Sequence, residues 1–399
     1  MAKLAINGGT PVRNKPYHGW TVYTEQDKKG LEETYFKDNW APDGENNRRF
    51  REKFAAFAGV KHCLTVANGT VSIELILRAL GLGRGDEVIV PPYTFIASIS
   101  ALIYAGVKPV FADVDEETFQ LSPEAAEKAI TPRTRAIMPV YIGGRPADLD
   151  AFTALCEKYG LYLIGDAAQA VGAEYKGKGI GNYGIATSIS CQNSKNLTCG
   201  EGGLVLTNDD ALYEKMVSIL NCGRDASGSY SSLGLLNGMS EFQASMLCTQ
   251  FEAFPAQIAR RQANGELLDK LLADIDIVLP APRDPKITRN AFHLYLIRMN
   301  KEKLQGISRE TLLKALRAEG IGCVPGYLPV YTFPCLKGDY IRKCIGSDIN
   351  VNPETPAADR ICYETGFWFL QNMMLSEPEA MEEIAAALRK ISENLDELR

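Results

Sequence analysis

Along the first two thirds of the chain, apolar positions come in short β-branched runs separated by amphipathic stretches. That alternation is the mark of βαβ units stacked into a largely parallel sheet. Residues 63–66, 87–90, 109–112, 136–140, 161–164, 186–190 and 203–206 read as strands. Helices fall between them, over residues 72–82 and 148–159; in the second, Leu149, Phe152, Leu155 and Cys156 lie on one apolar stripe. After Phe254 the pattern changes to a long polar helix through Arg260, Arg261 and Glu266, then a Pro-rich stretch, then a unit closing with a helix over 378–398. The expectation is an α/β chain in two parts: residues 1–255 as a large domain with an N-terminal arm, and 256–399 as a smaller C-terminal α/β domain. Open sheets of this kind bind ligands at the carboxyl ends of their strands, so the residues just after each run are the ones to inspect.

Composition narrows the function. The 399 residues carry 43 Lys and Arg against 49 Asp and Glu, a net charge of −6, with no dense basic run. Nucleic-acid binding by phosphate neutralisation is therefore not expected. The uncharged stretch 88–107 has the length of a membrane span, but Pro91, Pro92, Ser98 and Ser100 make it a strand end followed by a helix. The N-terminal residues lack the apolar run of a signal peptide. Ten cysteines without any Cys-x-x-Cys pair, and three scattered histidines, suggest free thiols in the cytoplasm and no metal site. His62 and Cys63 are neighbours on a strand and point to opposite faces, which favours structural roles for both.

A literal Gly-x-Gly-x-x-Gly occurs at Gly179, Gly181 and Gly184, but it follows a polar segment and precedes a strand. A dinucleotide fold needs the reverse context, so turns around a hairpin explain it better. Asn68-Gly69-Thr70 lies between a strand and a helix, where free N–H groups favour a phosphate; the ordinary alternative is a helix cap by Thr70 or Ser72. Three further strand ends bear on the choice. Asp166 ends a buried strand and needs a cationic partner. Lys195 is a single lysine after the next strand, and Phe95 supplies an aromatic ring after Pro91-Pro92-Tyr93-Thr94. A phosphate cradle, an aromatic plate, an acid and a lone lysine are what pyridoxal phosphate requires: an amine for its aldehyde, a carboxylate for its pyridine nitrogen and a surface for its ring.

With those residues in place the chain resembles the DegT/DnrJ/EryC1/StrS aminotransferases of keto sugars and cyclitols, which have the aspartate aminotransferase type of fold (fold type I). The matching segments, in the family's order, are Asn68-Gly69-Thr70, Pro91 to Ser98, Asp166-Ala167-Ala168-Gln169-Ala170, Ser194 to Gly203 and Met239 to Ala244. The opening Leu4 to Arg13 resembles the branch with amino-cyclitol and aminohydroxybenzoate enzymes. The resemblance implies that Lys195 forms the Schiff base and moves the proton, that Asp166 pairs with the pyridine nitrogen, and that Phe95 stacks on the ring. It also implies that Gln169 contacts the ring hydroxyl and that Gly69, Thr70 and Ser190 hold the phosphate. It implies an amino donor, glutamate or glutamine, a keto sugar (nucleotide-linked) or cyclitol acceptor, and a homodimer with active sites at the subunit interface. Where the family has Asn-Tyr-Arg, with the Asn reaching the partner's cofactor, this chain has Leu236-Asn237-Gly238, and Asn237 is the substitute one residue along. Val171 and Tyr141 replace histidines that the family often has, and are expected on the substrate side. Two alternatives stay open: a lyase or dehydratase using the same cofactor, disfavoured because the lysine is retained, and a non-catalytic regulatory protein that keeps the fold. A nicotinamide-dependent oxidoreductase is more distant.

Overall fold

A computed structural model describes residues 3–304 and 306–399. In chain order the strands of the first part are β1 (His62–Val66), β2 (Glu87–Val90), β3 (Lys108–Phe111), β4 (Thr134–Ile137), β5 (Tyr162–Asp166), β6 (Glu174–Tyr175), β7 (Lys178–Gly179), β8 (Ala186–Ser190) and β9 (Gly203–Thr207). Seven of them form one sheet in the order β1-β9-β8-β5-β4-β2-β3. β9 runs antiparallel to both of its neighbours and the remaining pairs are parallel. β6 and β7 make a separate hairpin around Lys176 and Gly177, so the Gly179 to Gly184 segment is turn structure leading into β8.

Alternation along the strands fills both faces. Ile89, Ile137, Leu163 and Ile189 face a core with α2 (Glu45–Ala58), α6 (Leu149–Tyr159) and α8 (Glu241–Leu272), whereas Val88, Val90, Ala136 and Ile164 face α3 (Gly69–Ala79), α4 (Ile96–Tyr104) and α7 (Asp210–Leu220). Here α1 is Glu25–Tyr35 and α5 is Pro123–Lys128. The first core contains an aromatic cluster in which Phe57 meets Phe251 at 5.3 Å and Phe54 meets Phe251 at 5.8 Å between ring centroids. Burying one such side chain contributes about 1.5–3 kcal/mol. All four predicted stripe residues of α6 are buried, and its ends are set by Asp148, which accepts from the Ala151 N–H, and Gly160 in the left-handed region.

The C-terminal part has an antiparallel sheet of β10 (Val278–Pro280), β11 (Leu294–Met299) and β12 (Gly366–Leu370), packed with the helices Arg309–Ala318 and Glu379–Ser392 around Ile297, Leu312, Phe367, Leu388 and their neighbours. Leu4 joins this core and Arg13 pairs with Glu383, so the N-terminal residues pack on the C-terminal unit. The polar helix expected after Phe254 begins earlier, at Glu241, and runs 32 residues through Pro255. Ser240 and Gln243 form a reciprocal capping box, and the buried Glu241 carboxylate accepts from the N–H groups of Asn46 and Asn47 at 2.8 Å each. The Met-Ser-Glu segment thus starts α8 and pins the start of α2 to it. The 88–107 stretch divides into β2 and α4, and no helix among the described residues is long and apolar enough to cross a membrane.

Candidate active site

The residues singled out above gather where the parallel strands end. Asp166 closes β5 and is 2% exposed. Its Oδ2 accepts from the Ser98 hydroxyl at 2.7 Å and its Oδ1 from the Ala168 N–H at 3.1 Å. Burial raises its pKa, against the pull of those two hydrogen bonds and of the Lys195 charge. Lys195 follows β8 in a turn closed by its N–H donating to the Gln192 carbonyl at 2.8 Å. Burial lowers the pKa of its amine while Asp166 pulls it up. Among the described residues its Nζ has no hydrogen-bond or ion-pair partner. The pair is therefore a carboxylate short of a cation and an amine biased toward its nucleophilic, proton-accepting form.

Gln169 is held at both ends. Its Oε1 accepts from the Gly143 N–H at 2.7 Å and its Nε2 donates to the Tyr327 hydroxyl at 2.9 Å. Phe95, at the N-cap of α4, is 58% exposed, with its ring centroid 6.4 Å from that of Tyr327. An apolar ring left this open beside a polar pair offers a stacking face.

The loop after β1 corrects one expectation. Neither Thr70 nor Ser72 caps the following helix: α3 begins at Gly69, and Asn68 is the cap, its side chain accepting from the Val71 N–H at 2.9 Å. Ser72 instead donates to the Gly69 carbonyl at 2.6 Å. Among the described residues the Gly69 and Thr70 N–H groups find no acceptor, so two amides at the positive end of the helix are free. Ser190 packs directly on this turn; a Cβ at Gly69 would lie 2.8 Å from the Ser190 Cβ. Asn237 flanks the same turn. Its carbonyl accepts from the Ala67 N–H at 2.8 Å, which ties it to the chain just before Asn68, and it lines a small cavity with Val71, Glu74, Leu75 and Arg78 on the flank of α3.

Val171 and Tyr141, expected on the substrate side, are 1% and 0% exposed and belong to the apolar core, because the residues around them are packed against α8 and β5. His62 and Cys63 divide as the strand period requires: the imidazole stacks on Tyr213 and meets Asp210, and the thiol is in the core.

Sequence reasoning assigned no role to Ser98, Tyr327, Asn196 or His293. Buried His293 meets Asn196, ring Nδ1 to Oδ1 at 3.1 Å, while the Asn196 Nδ2 donates to the Ala291 carbonyl at 2.7 Å. That leaves Oδ1 as acceptor and puts the imidazole proton on Nδ1. Burial, Lys195 and Arg261 push the imidazole pKa well below its usual value, so a neutral ring stands beside the lysine turn. Trp20 of the N-terminal arm closes the same turn, its Nε1 donating to the Asn193 carbonyl at 2.8 Å.

The comparisons place a chain with this sheet among the aminotransferases with the aspartate aminotransferase type of fold. Residues 23–362 match the DegT/DnrJ/EryC1/StrS aminotransferase family, and the chain belongs to it. It is 35% identical to an L-glutamine:2-deoxy-scyllo-inosose aminotransferase of Streptoalloteichus tenebrarius, with 99% of each chain covered. It is 38% identical to the protein of the same name from Streptomyces lividus, over 82% of this chain and 81% of that one. The crystal structure of 3-amino-5-hydroxybenzoic acid synthase matches with a TM-score of 0.83 at 31% identity, covering 95% of this chain and all of that one.

Proposed function

We propose that this aminotransferase uses pyridoxal phosphate to move an amino group from L-glutamine to the ketone of a cyclitol of the deoxy-inosose type. The observation that carries the cofactor is the Asp166 and Lys195 pair: a buried carboxylate short of a cation, and an amine whose pKa burial lowers. The residues fit the group. Asp166 would face the pyridine nitrogen, Phe95 the ring and Gln169 the ring oxygen, and the Gly69 and Thr70 amides with Ser190 would hold the phosphate. Bound there, the cofactor supplies an aldehyde for an amine and a ring that accepts an electron pair.

The chain's own groups do the rest. Ser98 and the Ala168 N–H hold the Asp166 oxygens, so the carboxylate is fixed where it would face the ring nitrogen. Lys195, whose amine burial biases toward its deprotonated form against the pull of Asp166, would be the group that takes a proton at Nζ and returns it. Donor and acceptor use one site in turn, so ping-pong kinetics follow. The donor and the cyclitol acceptor are read from the relatives of similar length.

We also infer a two-part chain, with the cleft between the unit built on the seven-stranded sheet and the C-terminal unit, and the division within α8. A second copy completes the assembly: Phe36, Leu233 and Leu236 are 82%, 97% and 77% exposed, apolar surface that a homodimer would cover.

Borohydride treatment of the protein loaded with pyridoxal phosphate tests the chemistry. Mass spectrometry should find the cofactor on Lys195, and Lys195→Ala should lose the label and at least about 1,000-fold in activity. L-glutamine should change the absorbance of the bound cofactor, and 2-deoxy-scyllo-inosose should reverse the change. Label on another lysine would end the Lys195 assignment; a reversal only by nucleotide-linked keto sugars would replace the acceptor.

A further inference from the structure

We propose that Tyr327 is a positioning residue that orients the Gln169 amide from across the cleft, and through it fixes how the cofactor's ring oxygen is held. The proposal rests on the cofactor reading above. Gln169 belongs to the turn after β5 in the large unit, whereas Tyr327 lies in the segment between helix Arg309–Ala318 and the end of the cleft, 158 residues away. Three observations aim the phenol.

First, the segment is tied at both ends. Val324 and the β12 residue Trp368 exchange backbone hydrogen bonds at 3.1 and 2.9 Å, and the Val330 N–H donates to the Pro92 carbonyl at 3.0 Å. Tyr327 is therefore midway along a short span clamped to the small unit on one side and to the loop leading to Phe95 on the other.

Second, the span turns tightly. Gly326 has φ of +89°, and a Cβ there would lie 2.7 Å from the Tyr93 hydroxyl oxygen and 3.0 Å from the Trp368 Nε1. Those two atoms are themselves hydrogen-bonded at 2.7 Å, so the backbone crosses that bond at a distance that glycine permits and other residues do not. The Tyr327 ring is then boxed edge-on by Trp368 at 4.9 Å and Tyr93 at 5.7 Å.

Third, the hydrogen-bond roles are determined. With the Gln169 Oε1 taken by the Gly143 N–H, its Nε2 is the donor toward Tyr327, and one amide hydrogen stays available on the same nitrogen. Removing the phenol oxygen leaves the amide held only at Oε1, by the Gly143 N–H, and widens its swing about its last bond. The ring oxygen of the cofactor would then meet a donor of uncertain direction.

The test uses the full-length protein loaded with pyridoxal phosphate and reads the absorbance maximum of the bound cofactor, its pH titration midpoint and its dissociation constant. Tyr327→Phe keeps the aromatic box and removes the hydroxyl. It should shift the maximum and the midpoint in the same direction as Gln169→Ala, by a smaller amount, and weaken cofactor binding about two- to tenfold, the size of one neutral hydrogen bond. In the Gln169→Ala background the same substitution should add nothing. Gly326→Ala, which moves Tyr327 without altering it, should give the Tyr327→Phe spectrum. A bound-cofactor spectrum left unchanged by Tyr327→Phe, or a shift that adds fully in the double variant, overturns the proposal while leaving the cofactor reading intact. Failure of the unaltered chain to bind the cofactor overturns both.

Discussion

Asp166 and Lys195 experience the same burial with opposite consequences for charge: the carboxyl is drawn toward its protonated form and the amine toward its deprotonated form. A group that brings a positive ring nitrogen to one and an aldehyde to the other relieves both, which is why the pair points to a cofactor more firmly than either residue does. Gly69 is required for a different reason, the close approach of Ser190. Gly69→Ala should therefore lower cofactor affinity by about tenfold or more with little change in the far-UV circular dichroism, measured by titration with pyridoxal phosphate. His293 gives a pH prediction. An unfolded imidazole titrates near about 6.5, and the folded one well below. Between those values the unfolded chain binds the extra proton, so this residue makes stability fall as pH drops through about 6.5. His293→Gln should flatten the decline in melting temperature between about pH 7 and pH 5 relative to the unaltered chain; an identical slope would show that the imidazole does titrate when folded. Residues with a local backbone reason to be noticed, such as Gly69, Asp166 and Lys195, were legible in the sequence. Tyr327 and His293 were not, because what makes them matter is a partner 158 residues away in one case and 97 in the other.

At the scale of elements, the strands of the seven-stranded sheet were read to within two or three residues, since each is a short apolar run closed by turn residues, while the hairpin and the C-terminal strands were not read. Ends were less legible. The third helix was expected from Ser72 and starts three residues earlier because Asn68, not a hydroxyl residue, caps it by accepting from the Val71 N–H. Asn68→Ala should cost about 0.5–2 kcal/mol of stability by denaturant titration, the range for losing such a cap, and should also loosen the turn that would receive the phosphate. The start of α8 was missed because its first turns are largely buried against α2 and neighbouring segments and mix apolar with polar residues, so they lack the exposed polar run that marks the rest of the helix. Ser240 with Gln243 three residues on was the available signal.

For the whole molecule, the change in periodicity after Phe254 suggested two parts, yet α8 runs through that point without a break, and the N-terminal residues pack on the C-terminal sheet and helices. Pattern along a chain does not show such returns. The proposed second copy has a direct check: light scattering after size exclusion should give about twice the 43.8 kDa of one chain. Leu236→Glu, which places a charge on that apolar surface, should shift the mass toward one chain; a monomeric mass for the unaltered protein would remove the homodimer.

Asn196 is anchored by the Ala291 carbonyl and Gln169 by Tyr327. A growing chain therefore emerges from the ribosome with its lysine long before the groups that bury and orient it. A fragment that ends before residue 290 has Lys195 but lacks Ala291, His293 and Tyr327. On the proposed function, such a fragment should bind pyridoxal phosphate more weakly than the full chain.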